Sequence, residues 1–451
     1  MSCYCILALC IVLSALLADV VGGAGSAEWP NRDLLGRASS AADIRSTATT
    51  TDWAATHRPT SGASRSFPVL PKRLLVAYPD WGACGPEVEQ AVLNGVNVVA
   101  WSFGVLVATP AGQASIQLQP NLHCVRRIVE RTAKAGVLHL LSFGGWGTRH
   151  PDDFLSGAAY YDAWLSLVWG HRRAGGGPLF DGFDWDFEGA DDKAAAANIF
   201  SPETLDIMGH MSTLAKADGF LVSIAPAQSY LGPPRPPPAP SFNRSLLLED
   251  AAWEHEFAEE QGAAYVRPFF GYHGANCYAY LLAAHGGWRT FDFVSVQLYE
   301  SFSLFGYTVQ VEGMPVADAL VSTVSSYIGG WEVDFSLDPD TRVARLGKRR
   351  LRVPAERLVV GLLAVGGNPG AALPATTPPY AKTFTLLPNA APDNPLQQAY
   401  DVLRAAGSTP RGFMYWCIAQ EANATDPYYM SRGLAAVLAS DSSAAHAGSP
   451  P

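Results

Sequence analysis

The chain has 451 residues, of which 48% are hydrophobic and 16% charged, with a formal net charge of −10. That length exceeds a minimal domain, and the low charge fraction fits a large buried core. The acidic balance and the lack of a basic stripe exclude a nucleic-acid binder, because such proteins present a basic face. The short run Lys348-Arg349-Arg350 reads as a solvated turn.

Residues 4–18 are almost entirely apolar, no Lys or Arg precedes them, and Asp19 ends the run. The run is short for a membrane span and suited to a secretory signal, with cleavage expected near Gly23–Ala27. We take residues 1–27 as signal peptide and 28–70 as a flexible lead-in rich in Ser, Thr and Ala. The folded catalytic domain is expected over 71–438 and a disordered tail over 439–451. The mature protein is then secreted or lumenal, with no membrane attachment, and is expected to be a monomer. Cys3, Cys5 and Cys10 lie in the leader, which leaves Cys84, Cys124, Cys277 and Cys417. An even count after export permits two disulfides; buried thiols are the alternative. Without a CxxC or Cys/His cluster, no metal site is expected. Asn243-Arg-Ser and Asn423-Ala-Thr are glycosylation sequons.

From Arg73 onward, short β-branched and aliphatic runs recur between Gly, Pro and polar residues. In order they are RLLVAY, VNVVAWSF, GVLHLLSF, LFDGFDWDFE, FLVSIAP, DFVSVQLY, RLVVGLLAV and GFMYWCIA. Helix-like stretches separate them. One is LHCVRRIVERTAKAG, whose apolar positions recur three to four apart, with Gly136 just past its end. Another is VADALVSTVSSY. Eight buried strands, each followed by a crossover, predict an α/β fold of the (β/α)8 TIM-barrel type. A doubly wound sheet is the second choice, since it usually has fewer strands. Long connections follow the fifth strand (227–291, with LGPPRPPPAP) and the sixth (301–356). Both lie on the top face, where barrel enzymes build their sites.

The fourth strand carries the chemistry. Strand side chains alternate between faces, so Asp184, Asp186 and Glu188 share one face and Phe183, Trp185 and Phe187 the other. The aromatics pack outward under helices, while the carboxylates point into the barrel and climb towards its top. Crowding and burial raise at least one carboxyl pKa. A carboxylic acid protonated near neutrality is a general acid. Glu188, at the strand end, is the acid candidate; Asp186 can share its proton and orient substrate, and Asp184 tunes both. His139 alternates with apolar residues and reads as a core histidine. A calcium site is disfavoured, because calcium loops use Gly, Asn and turns.

The pattern Asp181-Gly-Phe-Asp184-Trp-Asp186-Phe-Glu188 resembles the DGxDxDxE signature of the family 18 glycoside hydrolases, the chitinases and their relatives. SFGG, from Ser142 to Gly145, is similar to the SxGG motif of that family. YPDW places Tyr78 and Trp81, and SF places Phe103, where the family keeps substrate-facing aromatics and the end of its second strand. IAP at Ile224–Pro226 resembles strand five, and QLYE at Gln297–Glu300 resembles the QxYN and MxYD motifs. GFMYW places Trp416 where the family has a tryptophan under the cleaved sugar. The resemblance covers roughly 72–420.

It implies substrate-assisted hydrolysis with retention, an exception to the two-carboxylate scheme. Glu188 protonates the glycosidic oxygen, and the substrate's 2-acetamido oxygen attacks the anomeric carbon. Asp186 holds the acetamido N–H and Tyr299 its oxygen. No cofactor is implied. Tyr78, Phe103, Gly145, Gln297 and Trp416 bind substrate, with Trp146 a weaker subsite, and Asp181 and Ser142 are structural motif positions. Gln297 also reads as a hydrogen-bond partner for the carboxylates. Glu300 departs from the usual Asn or Asp. The stretch Val365–Arg411 is too short for the α+β insertion that some members carry between strands seven and eight, so a more open cleft is expected. The implied partner is a polysaccharide or oligosaccharide containing N-acetylglucosamine. The implied activity is a chitinase; an endo-β-N-acetylglucosaminidase and a non-catalytic chitin-binding lectin are the alternatives.

Overall fold

The computed structural model describes residues 68–190, 194–233, 242–246, 275–299, 303–310, 312–364, 394–422 and 426–444. The leader, nearly all of the lead-in, Asn423, Glu300 and the connection 365–393 lie outside the described residues.

The strands in chain order are β1 (Leu74–Tyr78), β2 (Val98–Ala108), β3 (Ala114–Leu118), β4 (Leu138–Gly145), β5 (Gly182–Phe187) and β6 (Leu221–Ile224). They continue with β7 (Phe293–Gln297), β8 (Trp331–Asp334), β9 (Lys348–Leu351), β10 (Leu358–Leu363) and β11 (Gly412–Trp416). The helices are α1 (Pro86–Leu93), α2 (Leu122–Thr132), α3 (Gly157–Gly170), α4 (Pro202–Ala217) and α5 (Ala279–Ala284). After them come α6 (Leu304–Gln310), α7 (Val316–Gly329), α8 (Thr341–Ala344), α9 (Pro395–Ala405) and α10 (Tyr429–Ala444).

Parallel pairing runs β1, β2, β4, β5, β6, β7, β10, β11 and back to β1. Each apolar run read from the sequence supplies one of these strands, and closure of the ring makes the (β/α)8 barrel. Period-two alternation explains the two layers of core. Leu74, Val76 and Tyr78 point into the lumen with Val98, Leu140 and Met414. Leu75 and Ala77 point outward and pack, with Trp101, Phe143 and Trp185, beneath the helices.

Helix starts follow local chemistry. Asn121 accepts hydrogen bonds from the N–H groups of His123 and Cys124 at the head of α2, and Ser201 accepts from Thr204 N at the head of α4. Gly136, at φ +68°, ends the short 3-10 turn that extends α2.

Three features depart from the sequence reading. Strand β2 runs on to Ala108 and folds back antiparallel onto β3 through the turn Thr109-Pro110-Ala111-Gly112, a hairpin absent from the sequence reading. Lys348, Arg349 and Arg350 are not a turn but exposed residues of β9, which pairs antiparallel with β8 inside the long connection after the sixth barrel strand. The last helix runs through Ala444, past the boundary at 438. Among the described residues, no helix is long and apolar enough to cross a membrane.

Cys84 and Cys124 form a disulfide across a sequence separation of 40, tying the loop after β1 to the head of α2. Cys277 and Cys417 stay buried as thiols, so a second bridge does not form. Closing a loop of that length in the unfolded chain is worth about 2–4 kcal/mol. A Cys84→Ser/Cys124→Ser variant is therefore expected to lose that much unfolding free energy in a urea titration, and a loss below about 0.5 kcal/mol would contradict the assignment.

Candidate active site

Strand β5 places Asp184 and Asp186 in the lumen, and Glu188 follows one residue past its end. Its other face packs as ordinary core. Phe183 meets Trp164 edge-on with ring centroids 5.2 Å apart, and Trp185 Nε1 donates to Ser212 Oγ at 2.8 Å.

Asp184 is the deepest of the three acids. Its carboxylate accepts hydrogen bonds from Tyr78 OH (2.7 Å), Ser142 Oγ (2.9 Å) and Ser223 Oγ (2.5 Å). Register explains the convergence: Ser142 lies level with Asp184 on β4, and Ser223 lies level with it on β6. Burial raises the Asp184 pKa, and the three hydroxyls oppose that rise. Ser223 was not singled out in the sequence. The signal it gives is a lone hydroxyl residue at a lumen position of an apolar strand.

Asp186 is buried one step higher. Gln297 Nε2 donates to Asp186 Oδ1 and to the Ala225 carbonyl, both at 2.8 Å. With its amide hydrogens committed and its side chain buried, Gln297 serves the carboxylates and does not face a sugar. This decides between the two roles open to it in the sequence.

Asp186 and Glu188 share a hydrogen bond, so one of them carries its proton. Burial is the main cause that raises both; for Asp186 the neighbouring Glu188 and Asp184 add to it. Asp186 lies well above the usual carboxylate range, and Glu188 is pushed up to about 7. The sequence placed the raised acid at Glu188. The structure raises Asp186 as well, because it is deeper and flanked by an acid on each side. Near neutral pH the proton belongs to the pair rather than to either residue.

Above the carboxylates lies an aromatic cluster. Phe103 stacks on Trp416 at 5.6 Å and 14°, Tyr78 meets Trp416 at 5.8 Å, and Trp81 meets Phe103 at 4.8 Å. Tyr78 and Phe103 are only 2% and 1% exposed. They do not present a free face, contrary to the substrate-facing role the motif implies. Tyr78 spends its hydroxyl on Asp184, and Phe103 lies against Trp416. The open surface of the cluster comes from Trp81 (42% exposed) and the partly buried Trp416; Trp146, the residue after Gly145, is 36% exposed. Tyr299, two residues past β7, packs partly buried on the lumen cluster with Trp416.

Two glycines make this packing possible. A Cβ on Gly144 (φ +120°) would come within 2.3 Å of the Asp186 carbonyl oxygen. On Gly145 (φ +86°) it would meet the Phe103 ring at 2.6 Å and Trp81 at 2.8 Å. Gly145 thus shapes the cluster through its lack of a side chain. Asp181 lies at the other end of β5, where it accepts from His139 N (2.9 Å) and the Arg173 guanidinium (2.7 Å). That places it at the foot of the barrel, away from the acids. His139 is a buried outward residue whose ring meets Trp101 Nε1 and Thr132 Oγ1, and burial lowers its pKa to about 3. Asn243 is exposed, with its side-chain oxygen accepting from Ser245 N at 2.9 Å.

No family model matches the chain, and no curated protein matches it. Solved structures do match. A GH18 chitinase from Pseudoalteromonas aurantia is 14% identical, with a TM-score of 0.44 over 81% of this chain and 99% of that one. The ChiA C-terminal domain of Legionella pneumophila is 13% identical, with a TM-score of 0.46 over 80% and 97%. Concanavalin B is 14% identical, with a TM-score of 0.42 over 80% and 98%.

The raised pair has a consequence for stability. Within the coupled pair, burial pushes the Glu188 carboxyl up from its ordinary value of 4.5 to about 7. Its contribution is therefore complete below about 4.5 and is lost as pH rises through about 7, a swing on the order of 3 kcal/mol. Unfolding free energy measured from pH 4.5 to 7.5 should fall with pH in the wild type. The fall should flatten in Glu188→Gln, and an unchanged slope would rule out the shared proton.

Proposed function

We propose that the chain is a glycoside hydrolase of the family 18 type, cleaving β-1,4-linked N-acetylglucosamine polymers with retention. One observation carries the reading: a lumen ladder of buried Asp184 and Asp186 topped by Glu188, in which the upper two carboxyls are coupled and raised, lies beside an exposed tryptophan. The motif Asp181 to Glu188 supports it from the sequence side.

In this reading the proton held by the Asp186–Glu188 pair is delivered by Glu188, the topmost carboxyl, to the leaving glycosidic oxygen. The acetamido oxygen of the substrate attacks the anomeric carbon and forms an oxazolinium ion. Asp186 stabilises the acetamido nitrogen as positive charge develops there, and Asp184, held by three hydroxyls, adds a fixed field from below. Tyr299 aims the acetamido oxygen. Glu188, now a base, activates the water that reopens the ring. The flat faces of Trp81 and Trp416 suit the C–H faces of sugar rings. Export as a monomer, with glycans on Asn243 and Asn423, completes the proposal.

Incubation of the purified protein with chitin oligomers should release short sugars that keep the β configuration at the new reducing end. Glu188→Gln should lower that rate on the order of 10²–10⁴-fold. Release from a high-mannose glycoprotein alone would point to an endo-β-N-acetylglucosaminidase, and binding without turnover at any pH to a lectin.

A further inference from the structure

Beyond its side chain, Glu188 depends on its backbone. A peptide unit is planar, so the carbonyl of residue 187 and the N–H of residue 188 move as one plate, and the carbonyl of 188 and the N–H of 189 as another. The φ and ψ of Glu188 are the angles between these plates. If both plates are pinned, the direction of its Cα–Cβ bond is pinned too.

The β-ladder does not reach far enough to do this. Pairing of β5 with β6 ends at Trp185 and Ile224, and the last backbone bond on that side runs from Ala225 N to the Trp185 carbonyl at 2.8 Å. Continued alternation would bring Ala227 N to the Phe187 carbonyl. But Ala227 has turned to bridge Gln297 of β7, so the next acceptor on β5 loses its strand donor.

Two tyrosines fill the gap. Tyr278 OH donates to the Phe187 carbonyl at 2.9 Å. Tyr230 OH accepts from Gly189 N at 3.3 Å. Tyr278 is fully buried and Tyr230 nearly so. The two are joined to each other, since Tyr278 N donates to the Tyr230 carbonyl at 3.2 Å. One hydroxyl therefore holds each plate that flanks Glu188. The far side of the same turn is held as well, by Gly147 N on the Gly189 carbonyl at 2.8 Å and by Asn198 Oδ1 accepting from Ala190 N at 2.9 Å.

We propose that Tyr278 and Tyr230 are positioning residues that fix the backbone angles of Glu188 and so aim its carboxyl; the assignment rests on Glu188 being the acid. Neither touches substrate. Both come from the segment that follows the fifth barrel strand, so that connection reaches beneath the acid and replaces the missing strand donor.

The test is steady-state hydrolysis of a chitin oligosaccharide by wild type, Glu188→Gln, Tyr278→Phe, Tyr230→Phe and Tyr280→Phe. Tyr280 OH bonds Asp206 at 2.9 Å, away from the acids, and serves as a control for loss of a tyrosine hydroxyl. Tyr278→Phe should lower kcat about 10- to 100-fold, with KM within about threefold of wild type, because binding is kept while alignment is lost. Tyr230→Phe should act in the same direction, and Tyr280→Phe should match wild type. A kcat for Tyr278→Phe within about twofold of wild type, or a loss confined to KM, overturns the inference while Glu188→Gln still shows the acid. Should Tyr278→Phe fail to fold, Tyr230→Phe decides by the same criterion. A wild type that cleaves nothing overturns both the functional reading and the inference.

Discussion

A carboxylate at the centre of a barrel must be hydrogen-bonded or neutral, and Asp184 sets the terms for everything above it. Removal from water costs a charged group several kcal/mol unless donors replace the lost solvent. Tyr78, Ser142 and Ser223, from β1, β4 and β6, supply those donors. With its oxygens engaged by three hydroxyls, Asp184 is held in place below Asp186. Asp186 then faces an acid on each side and one amide, Gln297, as its donor. The proton it holds against Glu188 follows from that confinement.

The opposite face of β5 answers to a separate constraint. Phe183, Trp185 and Phe187 are fully buried under the helices and bring no charge with them. One strand thus joins an apolar outer layer to an acidic inner one, and the period of two keeps them apart. Gly144 and Gly145 extend the same economy of space: the β5 backbone and the Trp81–Phe103 pair occupy the volume their side chains would need.

The barrel was legible because each of its strands is a buried apolar run, and the ladder was legible because alternation is a rigid geometric rule. The roles of individual aromatics were less so. A motif says that Tyr78 and Phe103 stand near a site; it does not say that one spends its hydroxyl on Asp184 and the other lies covered by Trp416. Burial depends on neighbours from β1, β2 and β11, which are far apart in sequence. Lys348-Arg349-Arg350 was misread for a related reason, since three exposed cations carry no period and only pairing with β8 makes them a strand. Tyr230 and Tyr278 were invisible because they sit in a connection with no sustained period, 48 positions apart by their numbering.

The cluster of hydroxyls around Asp184 also bears on how the barrel finds its alignment. A parallel barrel of eight similar apolar strands has many near-equivalent ways to pair, since a strand shifted by two residues still points apolar side chains inward. Apolar burial discriminates weakly among these. The Asp184 contacts do not tolerate such a shift. Moving β4 or β6 by two positions takes Ser142 or Ser223 off the level of Asp184 and sets an apolar residue there instead. The mis-threaded barrel would then contain a carboxylate short of donors. The acid ladder is thus a built-in check on strand alignment, penalising the competing barrels more than it stabilises the native one.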